Sequence, residues 1–367
     1  MSLSGPSNFT QAELQPSLCD CQLVEPMDLT QVTALSIRAT STHLQRKLSV
    51  LLAAHHIVSV TESGAALLNR EVLDRLGTLL SAFSRTERSD LLAAPWIDGQ
   101  LDPWQVAPLE QWAHRLDSQW FGAATDQLRF HLQPIVHLGS GRVAGYEALV
   151  RAQWNEQLIG AGPLLQAAAA HGQARSFDAH ARRSAIRQAY PQLKTDQQLF
   201  INFAPGVVYN PDICLQTTFA TCREVGADFS RLVFEVTESE AFPDLKLLRS
   251  ILERYRQEGA QVALDDLGAG HTSLSYLMEL KPDIVKLDRA LISGLNAADR
   301  RIPLVDALIG YAHDLGIQVI AEGIETSDEL TQVIGLGADY AQGYFLGRPA
   351  PEAADILPEA ARYWVPQ

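Results

Sequence analysis

The chain has 367 residues, 47% apolar and 20% charged, with a formal net charge of −14. That balance suits a globular protein with one large domain and a smaller one, or one elaborated barrel, and excludes a disordered chain. The acidic surplus argues against a broad grip on a DNA or RNA polymer or on anionic lipid, so a phosphate-bearing ligand must be met by metal ions or a few placed basic groups.

No apolar run is long enough for a membrane span, and the opening Met1-Ser-Leu-Ser-Gly-Pro6 has neither a charged nor an apolar leader region. A cytoplasmic protein is the expectation. Cys19, Cys21, Cys214 and Cys222 include no C-x-x-C pair and read as buried or incidental thiols.

Taken in order, residues 1 to about 30 are polar and aperiodic, as in a loosely held arm. Gln31–Arg38 alternates like a strand, and Leu44, Leu48, Leu51 and Leu52 place a helix over Thr42–Ala54. A second helix is expected over Asn69–Ala93 and a third over Pro108–Trp120. This predicts a smaller, mainly helical module over 1–125, regulatory or dimer-forming, with no catalytic constellation. His55 and His56 are adjacent and face apart, which disfavours a shared metal. Trp112, Trp120 and Phe121 are expected to pack against the larger domain C-terminal to them.

From Leu128 the texture changes to short apolar runs separated by amphipathic segments. Candidate strands are Leu128–Pro134, Val143–Val150, Leu199–Phe203, Leu232–Val236, Gln261–Leu264, Ile284–Leu287, Gln318–Ala321 and Ala338–Phe345. Helices fit between them at Pro163–His171, Ala179–Ala189, Asp244–Glu258 and Arg301–Leu315. The alternation predicts an α/β fold, a TIM-like (β/α)8 barrel over 126–367, with a doubly wound open sheet as the alternative from pattern alone.

Polar residues decide more than the strand count does. Glu147, Asn202, Glu235, Asp265, Asp266, Lys286, Glu322 and Gln342 each fall at or just past the end of an apolar run, which is the active-site face of a barrel. Any one of them could be a cap or turn residue; it is their register across seven runs that points to a site. Asp265 and Asp266 can converge only where the strand turns, and Gly268 and Gly270 would permit that turn. Carboxylates with an Asn amide suit Mg²⁺ or Mn²⁺ rather than zinc, and a carboxylate pair can serve two ions about 3.5–4 Å apart in phosphodiester cleavage. Lys286 adds a cation near the attacking water or the phosphate.

The segment Gln133-Pro-Ile-Val-His-Leu-Gly-Ser-Gly-Arg-Val-Ala-Gly-Tyr-Glu-Ala-Leu-Val-Arg151 resembles the opening of EAL domains, which are cyclic di-GMP phosphodiesterases. The resemblance continues through Glu235-Val-Thr-Glu238, Asp265-Asp-Leu-Gly-Ala-Gly270, Lys286-Leu-Asp288, Ala321-Glu-Gly-Ile-Glu325 and Gln342-Gly-Tyr-Phe-Leu-Gly-Arg-Pro349. It implies hydrolysis of cyclic di-GMP to pGpG with two ions, Mg²⁺ or Mn²⁺, and inhibition by Ca²⁺. By the same resemblance Glu147, Asn202, Glu235 and Asp265 would hold one ion, and Asp265 would bridge to a second ion bound by Asp266. Glu322 would be the general base or would orient the attacking water, with Lys286 and Gln342 positioning it. Arg151 would pair with a ligand phosphate, Gln133 would also face the substrate, and Glu238 would anchor the loop after Asp266. Two copies would pair beside the Asp266–Leu274 loop as a homodimer.

The chain departs from the family pattern at Asn202-Phe203-Ala204, which lacks a Ser, and at Arg151-Ala-Gln-Trp154, where the Trp is displaced. His271 and Thr272 are milder variants in the loop. No ligand is removed, which favours an enzyme over a non-catalytic cyclic di-GMP receptor or an unrelated Mg²⁺-dependent barrel lyase.

Overall fold

A computed structural model describes residues 27–55, 65–73, 75–236, 244–268 and 274–364. The first core forms where β1 (Val32–Ala39) turns Val32, Leu35 and Ile37 inward. Ser41 then caps a helix over Thr42–Ala54, accepting a hydrogen bond from Leu44 N, and Leu44, Leu48 and Leu52 line its buried face. The helix expected over Asn69–Ala93 is divided. β2 (Ala66–Asn69) comes first, then short helices at Arg70–Leu73, Leu76–Ser81 and Arg85–Ser89, then β3 (Leu91–Ile97). A capping box between Ser84 and Glu87 restarts the chain as a new helix, and the apolar run from Leu91 completes a sheet against β1.

With β4 (Gln100–Leu101) and β5 (Ala107–Pro108) the unit holds a five-stranded sheet, ordered β2-β1-β3-β4 with β5 also on β3 and all its pairs antiparallel. Helical periodicity in one layer says nothing about strands that pair across 50 residues, so the smaller unit carries sheet as well as helix. Trp112, on the helix Leu109–Asp117, is fully buried in this first core, and its indole N–H donates to Ala93 O at 3.1 Å. It therefore packs inside the small unit, whereas Phe121 belongs to the second core, 5.6 Å from the Phe177 ring.

That second core is a closed barrel. Its strands are β6 (Leu128–His137), β7 (Arg142–Trp154), β9 (Gln198–Phe203), β10 (Leu232–Val236), β11 (Gln261–Leu267), β12 (Ile284–Leu287), β13 (Gln318–Ala321) and β14 (Tyr340–Ala341); β8 (Gln157–Ile159) hangs off β7 as a hairpin. From β7 through β9 to β14 neighbouring strands run parallel, while β6 closes the ring antiparallel to both β7 and β14. A tight hairpin between β6 and β7 replaces the crossover helix that a strictly parallel barrel needs at that point. The expected helices appear at Ala161–Ala170, Ala174–Ala189, Leu245–Gln257 and Ile302–Asp314.

Inside the ring, Ile135, Phe200, Val233, Ala263, Ile284 and Ile320 form one buried apolar layer. Side chains two residues apart on a strand share a face. The next layer up is thus Asn202, Glu235, Asp265, Lys286 and, just past its strand, Glu322; antiparallel β6 contributes Gln133, two residues before Ile135 rather than after it.

Candidate metal and active site

Lys286 stands at the centre of the polar layer, 1% exposed. Its Nζ lies 2.6 Å from Glu322 Oε1, 3.0 Å from Glu235 Oε1, 3.4 Å from Asp265 Oδ1 and 3.6 Å from Glu147 Oε2. Burial by itself would drive this ammonium to lose its proton, but the surrounding carboxylates, Asp265 and Glu147 foremost, hold it charged well above the ordinary lysine value.

Glu147 is fixed from both sides. Asn202 Nδ2 donates to its Oε1 at 2.7 Å and Gln342 Nε2 to its Oε2 at 2.8 Å. Gln342 also donates to Gln133 Oε1 at 3.2 Å, and Gln133 Nε2 donates onward to Gly347 O. Burial raises the Glu147 carboxyl, yet Lys286, Gln342 and Asn202 together hold it below the usual range. Glu235 is fully buried and neither of its oxygens accepts a well-aligned hydrogen bond. Burial raises it far above the carboxylate range, Lys286 notwithstanding. Burial likewise lifts Asp265, pushes Asp266 up to about 6 with help from Asp265, and pushes Glu322 up to about 8 against the pull of Lys286.

Five carboxylates around one ammonium make a strongly anionic pocket, and a buried carboxylate without a well-aligned hydrogen bond is costly unless a cation meets it. The donor set is all oxygen, and single oxygens of Asp265, Asp266 and Glu322 come within 4.8 Å of one another. These residues fit hard divalent cations.

The turn that lets Asp265 and Asp266 converge begins at Asp266, ahead of Gly268. The β11–β12 register shifts between Leu264 and Leu267, and Asp266 itself adopts φ +60, a left-handed position that aspartate tolerates. Gly268 (φ +103) serves close packing, since a Cβ there would meet Leu291 Cδ1 at 2.5 Å.

Gln133, Glu147, Asp265, Lys286, Glu322 and Gln342 line one open cavity of about 270 Å³. Arg151 does not. It lies four residues beyond Glu147 on β7, its Nη1 bonded to Val150 O at 2.8 Å and its charge felt by His131. Glu238, Gly270, His271 and Thr272 lie outside the described residues, as do Cys19, Cys21 and His56.

Two supporting carboxylates went unread in the sequence. Asp178 accepts from Ala204 N at 2.9 Å and pairs with buried Arg182, fixing the end of β9 beyond Asn202; the signal was an Asp and an Arg one helical turn apart. Glu329 accepts from Glu325 N, Thr326 N and Gly294 N at 2.6–2.9 Å, tying down the loop that carries Glu322; its signal was the Thr326-x-x-Glu329 capping box.

Residues 118–349 match the model of the EAL domain family. Among curated relatives, the cyclic di-GMP phosphodiesterase NbdA of Pseudomonas aeruginosa is 32% identical over 233 residues, covering 62% of this chain and 30% of that protein. The bifunctional diguanylate cyclase/cyclic di-GMP phosphodiesterase MucR of the same organism is 31% identical over 239 residues, covering 64% and 35%. Of solved structures, a standalone EAL protein from Vibrio cholerae in its c-di-GMP-bound form has 30% identity and a TM-score of 0.57, covering 64% of this chain and 97% of that one. The calcium/cy-diGMP complex of Klebsiella pneumoniae BlrP1 has 29% identity and a TM-score of 0.55, covering 63% and 58%. A barrel closed by one antiparallel strand, with an acidic layer at its mouth, defines the class, and this chain belongs to the EAL domain family. It spans about a third of the length of the curated relatives it matches. Among the described residues no helix is long and apolar enough to cross a membrane.

Proposed function

We propose that this chain hydrolyses cyclic di-GMP to the linear dinucleotide pGpG, with Mg²⁺ or Mn²⁺ at the acidic layer. The observation that carries this reading is the buried ammonium of Lys286 within reach of four carboxylates, in a chain of the EAL family. Glu147, Asn202, Glu235 and Asp265 would hold one ion, and Asp265 with Asp266 a second. When bound, such ions polarise the phosphoryl oxygen and make water more acidic.

The chain's own groups do the rest. Lys286 keeps its proton and orients Glu322 through the 2.6 Å contact, so that the Glu322 carboxylate accepts the proton of the attacking water. Water adds at one phosphorus, the P–O3′ bond breaks, and the ring opens. Gln342, bonded to both Gln133 and Glu147, keeps the carboxylate of Glu147 aimed into the cavity.

In this reading residues 1–125 regulate or pair the protein, 126–367 carry the chemistry, and two copies associate beside the Asp266–Leu274 loop in the cytoplasm. The deciding experiment incubates the purified chain with cyclic di-GMP and Mg²⁺ and resolves the products by chromatography. Linear dinucleotide is the expected result. Binding without product would favour the receptor, and absence of binding would sink both.

A further inference from the structure

Asn202 stands where β9 loses one of its two neighbours. The ladder to β7 ends at the pair Glu147 and Phe200, two residues before Asn202, whereas the ladder to β10 runs on to Phe203. The strand end is therefore paired on one side only, and Ala204, just past it, has no polar side chain with which to fix itself. Asp178, on the barrel helix Ala174–Ala189, meets this need: its Oδ1 accepts from Ala204 N at 2.9 Å. Its other oxygen pairs with Arg182 one turn further along, whose guanidinium lies over the Phe203 ring at 6.0 Å and whose Nε approaches Thr218 Oγ1 at 3.4 Å. Asp178 and Arg182 are 8% and 2% exposed.

An ion pair so deeply buried adds little stability over a well-packed apolar pair, so what it contributes is the place at which it holds the chain. The side chain that benefits is Asn202. Its Nδ2 is committed to Glu147 Oε1 at 2.7 Å, which leaves Oδ1 as the atom for a cation.

We propose that Asp178, with Arg182 as its counter-ion, is a positioning residue that fixes the end of β9 so that Asn202 Oδ1 meets the metal ion; the inference rests on the metal reading of the acidic layer above. Asp178 acts through the Ala204 amide, two residues along the chain from the ligand, and not by ligation. Groups that orient a metal ligand in this way are worth about ten- to a hundredfold in metal affinity.

Two variants of the full chain separate holding from packing. The neutral polar variant, Asp178→Asn with Arg182→Gln, removes both charges but keeps an acceptor for Ala204 N. The apolar variant, Asp178→Leu with Arg182→Met, removes charges and acceptor while keeping volume against Phe203. Mn²⁺ binding to the metal-stripped protein is measured by calorimetry, with melting temperature as the control for folding, and the Mn²⁺ concentration for half-maximal hydrolysis of cyclic di-GMP is read alongside. The expected result is a loss of about tenfold or more in Mn²⁺ affinity for the apolar variant, with a metal-free melting temperature no lower than that of the neutral polar variant, whose affinity stays within about twofold of wild type. The half-maximal Mn²⁺ concentration should move with the affinity.

Unchanged Mn²⁺ affinity in the apolar variant overturns the positioning role. So does an equal loss in both variants, which would trace the effect to the missing charges, or a loss that accompanies a lower melting temperature in the apolar variant alone, which would mark a structural role. A wild-type chain that binds no Mn²⁺ overturns the metal reading and this inference with it. Mn²⁺ binding without hydrolysis in the wild type sinks the phosphodiesterase reading alone, and the affinity comparison still decides the role of Asp178.

Discussion

Lys286 Nζ and Glu322 Oε1 approach to 2.6 Å across two adjacent parallel strands, β12 and β13, and this contact joins a fully buried cation of the barrel to the carboxylate nearest the attacking water in the proposed reaction. Removing the lysine should therefore harm stability and chemistry together. In Lys286→Met the carboxylates lose their shared partner, which costs about 3–5 kcal/mol in the metal-free protein. Thermal unfolding with and without Mg²⁺ checks this. The variant should melt well below the wild type without metal, recover much of the gap with it, and still lack hydrolysis; an unshifted metal-free melting point would contradict the charge accounting.

Glu147→Ala, Asp265→Asn and Glu322→Ala should each lower hydrolysis by about two orders of magnitude or more while the fold persists, because each removes a group aimed into the cavity rather than into the apolar layer beneath. Steady-state assays and circular dichroism on the three variants measure this. Near-normal turnover in any two of them would end the assignment.

The pH dependence of the metal-free protein has a definite sign. Asp266 is raised to about 6 and Glu322 to about 8, against about 3.9 and about 4.3 for the unfolded chain. Between those limits these two groups bind more protons in the folded state than in the unfolded one, so their contribution to stability falls as pH rises from about 4 to about 8, opposed below about 6.5 by the lowered His131, His171 and His180. Divalent ions need these groups ionised, so metal affinity should climb over the same window, with protons released on binding. Melting temperatures in chelator should drop from about pH 5 to about pH 8, and added Mg²⁺ should restore more at the upper end. A chelated protein equally stable at both ends would refute the buried-charge reading.

Calcium should support binding without turnover. It accepts the same oxygen donors but with longer bonds and looser geometry, so water is less acidic and poorly aimed. Turnover in Ca²⁺ matching that in Mg²⁺ would argue against this account of the acidic layer.

The two units touch through the helix Leu109–Asp117, whose Gln111 and Arg115 donate to Ala170 O at 2.9 Å and 2.5 Å, capping the barrel helix Ala161–Ala170. A chain beginning at Ser118 keeps Phe121 in the barrel core but loses both contacts. It should remain folded, bind divalent ions and cleave cyclic di-GMP at an altered rate, whereas a chain beginning just before Pro108 should keep the cap. Both truncations, soluble and metal-binding yet inactive, would show that the first unit supplies part of the machinery.

Period-two alternation by itself fixed most of the site. Val233 and Glu235, Ala263 and Asp265, Ile284 and Lys286, Ile320 and Glu322 each place an apolar layer residue two positions before a polar one, and that spacing is visible in the sequence because a strand has only two faces. The tertiary structure decided what no local pattern records. The direction of β6 makes Gln133 precede its layer partner and lets it share Gln342 with Glu147. The bulge at Asp266, ahead of Gly268, turns the second aspartate, since register against β12 is a property of two strands. Arg151 leaves the cavity because β7 runs on past its pairing with β9, which ends at Glu147, and Arg289 enters it because a glycine from another strand end makes room. The small unit's sheet was hidden for the same physical reason: strand pairing is settled by partners distant in sequence, whereas helical and alternating faces are settled within a few residues.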